Sequence, residues 1–306
     1  MRLGINGTGL VQKASVQAIV DHARRAQEDG FSSYWLAEHP TGGLDAITVL
    51  SLVGQTVPKI ELGTAIVPTY PRHPMALAGQ ALTAHSVLPG RFTLGIGLSH
   101  APMMAQLGIG FEKPIRHLRE FLSVLVPLLS EGRVAFEGET IACTAEVFGP
   151  PAEPCRVVVA ALGPQALKVA GARTSGTTLA WVGPKTIREH IVPRISEAAE
   201  IAGREPPRII ATLPVCVTDE EEVVRGLVAQ GLSMYAKLPS YRAMFEREGV
   251  KGPGDLVLAG NEDRVGSALD ELVRAGVTDF AASEFVRNSD EFERTRSFLK
   301  SALEAS

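Results

Sequence analysis

The sequence contains few cysteines and no long apolar run, which argues against a disulfide-rich protein, a zinc protein and a membrane-spanning protein. Its 306 residues include only three cysteines, Cys143, Cys155 and Cys216, which are widely spaced and form no CxxC pair. Such a set predicts neither a disulfide framework nor a zinc site, and it favours a reducing, cytoplasmic location. No apolar run approaches the roughly 18 residues of a membrane span, and the glycine-broken amino terminus does not resemble a signal peptide. We therefore expect no membrane association.

A strong charge and several familiar catalytic motifs are missing as well. The formal net charge is -4 at pH 7, which provides no basic surface for nucleic acid. The HxH and HExxH spacings are absent, so no metal site is predicted. The GxSxG turn of α/β-hydrolases is also absent, and so is the GxGxxG turn of a dinucleotide-binding sheet. The composition is otherwise that of an ordinary globular protein, with 45% hydrophobic and 21% charged residues.

One stretch organises the chain, and it covers residues 31–40, FSSYWLAEHP. Its aromatic and branched residues predict a buried strand that ends abruptly in an acid, a histidine and a proline. Upstream, residues 15–29 carry apolar side chains at the spacing of one helical face, and Gly30 can adopt the left-handed conformation that ends a helix. The order of helix, glycine, strand and polar tip is typical of an α/β fold, whose ligands bind where parallel strands end.

The same alternation continues to the end of the chain and predicts a (β/α)8 TIM barrel, with a doubly wound sheet as the alternative. The eight predicted strands cover residues 3–6, 31–36, 60–67, 91–97, 156–162, 177–182, 208–217 and 277–285. We predict a single domain over residues 1–306. A hairpin excursion near 133–154 and a helical insertion near 219–255, placed over one end of the barrel, interrupt the alternation.

Three histidines follow predicted strands and belong to one rim of such a barrel. His39, His73 and His100 come after the second, third and fourth strands. An imidazole with a pKa near neutrality can move a proton or stabilise developing negative charge, whereas a lone loop histidine is more often structural. We predict a catalytic role for His39, with Glu38 orienting the strand tip or hydrogen-bonding a ligand.

Two glycine-bearing turns on the same rim predict an anion site. GIGLSHAP at residues 95–102 and ALGPQAL at residues 161–167 each follow a strand and open a helix. Backbone N–H groups and the helix dipole can therefore face an anion at both places. Each turn alone could be an ordinary strand-to-helix connection. Together, beside Glu38 and His39, they favour a phosphorylated cofactor.

The sequence resembles the luciferase-like monooxygenase family, in particular its coenzyme F420-dependent oxidoreductase branch. The resemblance rests on WLAEHP, LGTAIVPTYPRHP, LPGRFTLGIG, LVPLLSEGRVAFEGE, VVVAALGPQALKVAGA and LVLAGNEDRVGSALDELVRAGVTDF. It implies a TIM barrel with a deazaflavin at the carboxyl-terminal rim, a homodimer, and hydride transfer to or from C5 of the deazaflavin. It also implies a non-proline cis peptide, which in this chain would join Ala65 to Ile66.

Carried over residue by residue, the resemblance implies a catalytic acid and histidine pair at Glu38 and His39. It implies cofactor binding by two further groups. The first is the strand bulge and the residue after it, Thr64, Ala65, Ile66 and Pro68. The second is the pair of turns made by Gly97, Leu98, Ser99, His100, Ala160, Ala161, Leu162, Gly163 and Pro164. This chain departs from the family pattern in having Glu38 where Asp is common, and Leu162 where glycine is common. It also has His100 where relatives that oxidise sugar phosphates have Glu.

Two alternatives to a coenzyme F420-dependent enzyme acting on a small molecule stay open. An FMN-dependent monooxygenase would use the same barrel and the same rim. A non-catalytic flavin-binding protein would bind the cofactor without turnover. The substrate itself is not predicted by the sequence.

Overall fold

The computed structural model describes residues 1–11, 15–147 and 153–304. Its strands are β1 Arg2–Asn6, β2 Ser33–Leu36, β3 Glu61–Thr64, β4 Val67–Pro68, β5 Phe92–Gly97, β6 Arg133–Glu137, β7 Ala142–Glu146, β8 Arg156–Val159, β9 Gly176–Ala180, β10 Arg208–Thr212, β11 Pro214–Val217, β12 Leu258–Gly260 and β13 Asp279–Glu284.

The helices lie mainly between these strands. They are α1 Thr8–Val11, α2 Val16–Glu28, α3 Ala46–Thr56, α4 Pro74–Val87, α5 Ala101–Gln106, α6 Pro114–Ser130, α7 Pro164–Arg173, α8 Pro184–Thr186, α9 Val192–Ile201, α10 Glu221–Gly231, α11 Pro239–Glu248, α12 Glu262–Arg274 and α13 Ser289–Glu304. A π-helical turn at Ile187–Ile191 joins α8 to α9, and 3₁₀ turns occupy Tyr235–Lys237 and Pro253–Leu256. None of the described helices is long and apolar enough to cross a membrane.

Eight parallel strands close into a barrel, as the sequence predicts. Their order around the ring is β1, β2, β3, β5, β8, β9, β10 and β13, and β13 pairs again with β1. Local sequence signals begin and end the surrounding helices: Ser15 accepts a hydrogen bond from the Ala18 N–H, and Gly30 is left-handed with φ of 91°. The closed ring brings all the strand ends to one rim, where ligands of this fold bind.

The barrel interior and the layer beneath the helices are packed separately. Trp35, Val158, Ile210 and Ala281 form their own buried cluster, with Ala65 against it. Trp35 fits because residue 63 is glycine: a Cβ there would lie 2.2 Å from the Trp35 ring. The neighbouring Tyr34 and Leu36 belong to the large cluster outside the strands, as the alternation of side chains along a strand requires.

The opposite, amino-terminal end of the barrel is closed by an ion network. Arg208 Nη1 lies 2.7 Å from Glu61 Oε1, and its Nη2 lies 2.8 Å from Asp279 Oδ1. Arg2 pairs with both acids, and Thr93 donates to Glu61 at 2.7 Å. All of these residues stand at or next to the start of a strand, so the network stabilises the end away from the site.

Two segments interrupt the alternation of strands and helices. Strands β6 and β7 form an antiparallel hairpin packed on α6, while residues 148–152 of the predicted excursion lie outside the described residues. The predicted insertion is helical, consisting of α10, α11 and two 3₁₀ turns. Strand β12 was not predicted from the sequence, and it pairs with β11 beside the ring.

Some predicted strand boundaries were wrong. The third predicted strand is broken at Ala65 and Ile66, between β3 and β4, and the seventh is broken at Leu213. The fifth ends at Val159, three residues early. In each case apolar residues continue past the end of regular pairing, because they still pack against the core after the backbone has turned.

Candidate active site

Glu38 is held by Arg72, a residue that the sequence did not predict to be part of the site. Arg72 Nη1 donates to Glu38 Oε1 at 2.5 Å, and Nη2 donates to Oε2 at 3.0 Å and to Asp45 Oδ2 at 2.6 Å. The Glu38 N–H donates to the Ile66 carbonyl at 2.9 Å. A bidentate pair fixes both side chains in one geometry. Glu38 therefore ties the loop after β2 to the loop after β4, and its role toward a ligand stays a prediction.

His39 follows Glu38 and keeps one ring nitrogen available. Its Nδ1 lies 3.0 Å from Thr41 Oγ1, and the side chain is half-buried. Nε2 has no hydrogen-bond partner among the described residues. If the Thr41 hydroxyl donates to Nδ1, Nε2 carries the hydrogen and can donate it. The arrangement suits a proton donor or acceptor at the rim.

The break between β3 and β4 is the predicted bulge. The peptide bond between Ala65 and Ile66 is cis, as the resemblance implied. The Thr64 hydroxyl donates to the Gly95 carbonyl at 2.7 Å and accepts the Gly95 N–H at 2.8 Å. Thr64 is fully buried, while Ala65 and Ile66 are half-buried. Ala65 and Ile66 therefore reach the barrel mouth, and Thr64 fixes the bulge to β5.

The turn after β5 lies directly beside this bulge. A Cβ on Gly97 would lie 3.0 Å from Ile66 Cδ1 and 3.2 Å from Ala160 Cβ, so three predicted site segments meet there. Pro68 pairs with Gly97. Ser99 has a left-handed backbone with φ of 61°, and burial lowers the pKa of His100. Neither nitrogen of His100 has a hydrogen-bond partner among the described residues.

The turn after β8 presents unpaired backbone donors. The Ala160 N–H donates to the Ile96 carbonyl at 2.8 Å, which aligns the turn with β5. Gly163 precedes α7 and no side chain caps this helix. Gly163 and Pro164 are exposed, and nothing lies within 4 Å of a Cβ built on Gly163. These features fit a phosphate group, which backbone N–H groups at a helix amino terminus bind well.

An aromatic arc spans the rim from the end of β5 to the end of β9. We define it as His100, Tyr241, Tyr235 and Trp181, whose successive ring centroids lie 5.4, 5.2 and 5.6 Å apart. Burial raises the pKa of both tyrosines, so they remain neutral at ordinary pH. The two tyrosines come from the predicted insertion, which therefore covers the carboxyl-terminal end of the barrel.

Glu248 is one of the carboxylates that hold the insertion on the barrel. Glu248, the last residue of α11, accepts the N–H groups of Lys185 at 3.1 Å and Thr186 at 2.7 Å. These donors lie in the first turn of α8, where a negative side chain is favoured. A Cβ on Gly183 would lie 2.3 Å from Glu248 Cδ, so glycine permits this close approach. The aromatic arc is thus fixed at its Trp181 side.

Comparison with known proteins agrees with this geometry. A sequence profile of the luciferase-like monooxygenase family matches residues 2–287. The chain belongs to this family. It is 30% identical over 222 residues to the F420-dependent glucose-6-phosphate dehydrogenase of Kineococcus radiotolerans, a match that spans 68% of this chain and 66% of that protein. It is 24% identical over 245 residues to the 5,10-methylenetetrahydromethanopterin reductase of Methanolobus tindarius, spanning 80% and 74% of the two chains.

Several solved structures share the fold. The coenzyme F420-dependent tetrahydromethanopterin reductase of Methanopyrus kandleri superposes with a TM-score of 0.82 at 23% identity, covering 98% of this chain and 97% of that one. The FMN complex of the oxygenating constituent of 3,6-diketocamphane monooxygenase of Pseudomonas putida gives 0.77 at 16% identity, covering 98% and 96%. As a member of the luciferase-like family, the chain is an oxidoreductase.

We expect the Arg72 cluster to stabilise this luciferase-like rim. Burial alone would raise the pKa of Asp45, but hydrogen bonds from Thr48 and Arg72 hold that pKa below its ordinary value. Arg72→Met leaves two half-buried carboxylates without their cation. The free energy of unfolding should fall by about 1.5 to 3 kcal/mol, measured by urea denaturation at pH 7.

A matched control removes an exposed pair. Arg24 lies 2.6 Å from Asp21 on the outside of α2, and Arg24→Met should cost less than about 1 kcal/mol. Equal effects of the two substitutions would show that the Arg72 cluster adds nothing beyond surface pairing.

Proposed function

We propose that this chain is a coenzyme F420-dependent oxidoreductase that transfers a hydride between C5 of the deazaflavin and a small organic substrate. The observation that carries the proposal is the meeting of the bulge, the two turns and His39 at one rim. Support also comes from two relatives from different organisms, one named as an F420-dependent dehydrogenase and one named as a methylenetetrahydromethanopterin reductase. A homodimer and a cytoplasmic location stay predictions.

The residues present fit a phosphorylated tricyclic cofactor. Ala65 and Ile66 are half-buried at the mouth, where they would lie against the ring, and the Gly163 turn would hold the phosphate. When bound, the deazaflavin supplies the site that accepts or releases the hydride. His39 Nε2 would move or hold the accompanying proton, and Arg72 would keep the strand tip in place through Glu38.

The aromatic arc favours a neutral substrate. Its four members offer ring faces and uncharged polar atoms, and burial keeps His100 and both tyrosines neutral. Arg72, which follows β4 at the same rim, is already paired with two carboxylates. A sugar phosphate needs a free cation or several unpaired donors beside its phosphate. We therefore propose a ring-containing or unsaturated substrate, such as an enone or an imine, in preference to a phosphorylated sugar.

The cofactor preference tests the proposal directly. Calorimetry or fluorescence titration should give a dissociation constant for coenzyme F420 at least about tenfold lower than for FMN, equivalent to roughly 1.4 kcal/mol. Turnover of an enone or imine panel with the reduced deazaflavin should consume no oxygen.

Two other outcomes identify the alternatives. Tight binding of FMN with oxygen uptake would make the protein an FMN-dependent monooxygenase, which the FMN complex of the diketocamphane enzyme illustrates on the same fold. Tight binding of either cofactor with no turnover of any substrate in the panel would favour a non-catalytic flavin-binding protein.

A further inference from the structure

A buried histidine outside the predicted site contacts the turn that would bind the cofactor phosphate. His190 lies in the π-helical turn Ile187–Ile191, and 2% of it is exposed. Its Nε2 lies 2.7 Å from the carbonyl oxygen of Leu162. Its Nδ1 is buried and has no hydrogen-bond partner among the described residues. Single π-helical turns of this kind occur often at functional sites.

The hydrogen of this ring can be placed. The Leu162 carbonyl oxygen can only accept, so Nε2 carries the hydrogen and donates it. Burial, together with Arg247 and Arg194, lowers the pKa of His190, so the ring is neutral and holds one hydrogen. Nδ1 is therefore an acceptor without a donor. An unsatisfied buried atom costs stability, and what sets His190 apart from other buried histidines is that its other ring nitrogen holds the Leu162 carbonyl.

The direction of the Leu162 carbonyl determines the direction of the Gly163 N–H. The Leu162 carbonyl and the Gly163 N–H belong to one planar trans peptide group, in which they point in opposite directions. His190 is buried and Gly163 is exposed. Holding the carbonyl inward therefore turns the Gly163 N–H outward.

Further donors stand beside it. The N–H groups of Gly163, Gln165 and Ala166 have no hydrogen-bond partner among the described residues. They open α7, a helix of 10 residues without a side-chain cap. Three unpaired donors at a helix amino terminus form the kind of site that binds a phosphate.

We propose that His190 is a positioning residue for the phosphate-bearing tail of the cofactor, acting through the Leu162 carbonyl to turn the Gly163 N–H toward the phosphate. The proposal rests on the proposed function, because it assigns the tail to this turn. His190 touches neither the ring nor the substrate in this arrangement. Replacing His190 should therefore weaken the binding only of ligands that carry the phosphate.

A matched pair of ligands isolates this effect. Coenzyme F420 and the phosphate-free deazariboflavin with the same ring are titrated by fluorescence into the wild type, His190→Leu and His190→Gln. His190→Leu should raise the dissociation constant of coenzyme F420 by about tenfold and leave that of the phosphate-free compound within about twofold. His190→Gln keeps a side-chain N–H donor and should recover most of the lost affinity.

A second buried histidine provides the control. His85 in α4 also has a buried Nδ1 without a partner among the described residues, and His85→Leu should leave the ratio of the two dissociation constants unchanged. Equal weakening of both ligands by His190→Leu, or no weakening of either, would overturn the positioning role while the proposed function stands. A wild type that binds neither ligand would overturn both.

Discussion

Replacing Arg208 by methionine should lower the free energy of unfolding by about 3 to 5 kcal/mol at pH 7, because it leaves buried carboxylates without their main partner. Arg208 is the link between Glu61 and Asp279, which are 8% and 3% exposed. Urea denaturation followed by circular dichroism gives the difference. Arg294→Met is the control, since Arg294 pairs with exposed Glu262 at 2.7 Å, and it should cost less than about 1 kcal/mol.

The Arg208 effect should depend on pH with a defined sign. Burial would raise the pKa of Glu61 and Asp279, but hydrogen bonds from Arg208 hold both below their ordinary values. A lowered carboxyl pKa stabilises the fold above the unfolded pKa of about 4, and this stabilisation is lost as the pH falls further. The difference between wild type and Arg208→Met should be full at pH 7 and shrink below about pH 4. A difference that grows on acidification would contradict the assignment.

Replacing His39 by alanine should slow the chemical step by about a hundredfold or more, the usual contribution of a general acid or base. Single-turnover mixing of the reduced deazaflavin with an accepted enone or imine measures this step apart from product release. Binding of the cofactor should change far less, because the phosphate turns and the bulge are untouched.

His73→Ala is the matched control for His39. His73 also follows a strand of the rim, but it is exposed and its Nδ1 accepts the Met75 N–H at 3.2 Å as the cap of α4. Its replacement should alter the chemical step by less than about threefold, since it only loosens a helix end. A loss below about tenfold for His39→Ala would remove the catalytic role from His39.

Sequence periodicity was sufficient to predict the barrel. The strands are short apolar runs, the helices have one apolar face, and Gly30 and Gly276 mark two helix ends with φ of 91° and 93°. The helix and strand signals are local. Ile66, Gly97 and Ala160 were implied as site residues by the resemblance to the luciferase-like family, and they meet at the rim where parallel strands end.

The partners of the site residues could not be predicted in the same way. Arg72 reaches Glu38 across 34 positions, and His190 reaches Leu162 across 28. Such pairs depend on the relative rotation of two elements, which no spacing in the sequence encodes. The one usable signal for Arg72 was its place in the proline-rich loop PTYPRHP after a strand. Tyr235 and Tyr241 carried no signal, since the path of a long insertion is set by what it packs against.

The barrel and the insertion held by Glu248 contribute different parts of the candidate site. The barrel contributes backbone N–H groups and the bulge, whereas residues 219–255 contribute two of the four aromatic rings and are fastened at the start of α8. A graft of another family member's residues 219–255 would therefore exchange the surface proposed to meet the substrate and keep the surface proposed to meet the cofactor. Such a graft would have to keep an acid in the place of Glu248 and a small residue at Gly183, together with the ion pairs that Glu220 and Glu221 make with Arg287 and Arg264 outside the insertion.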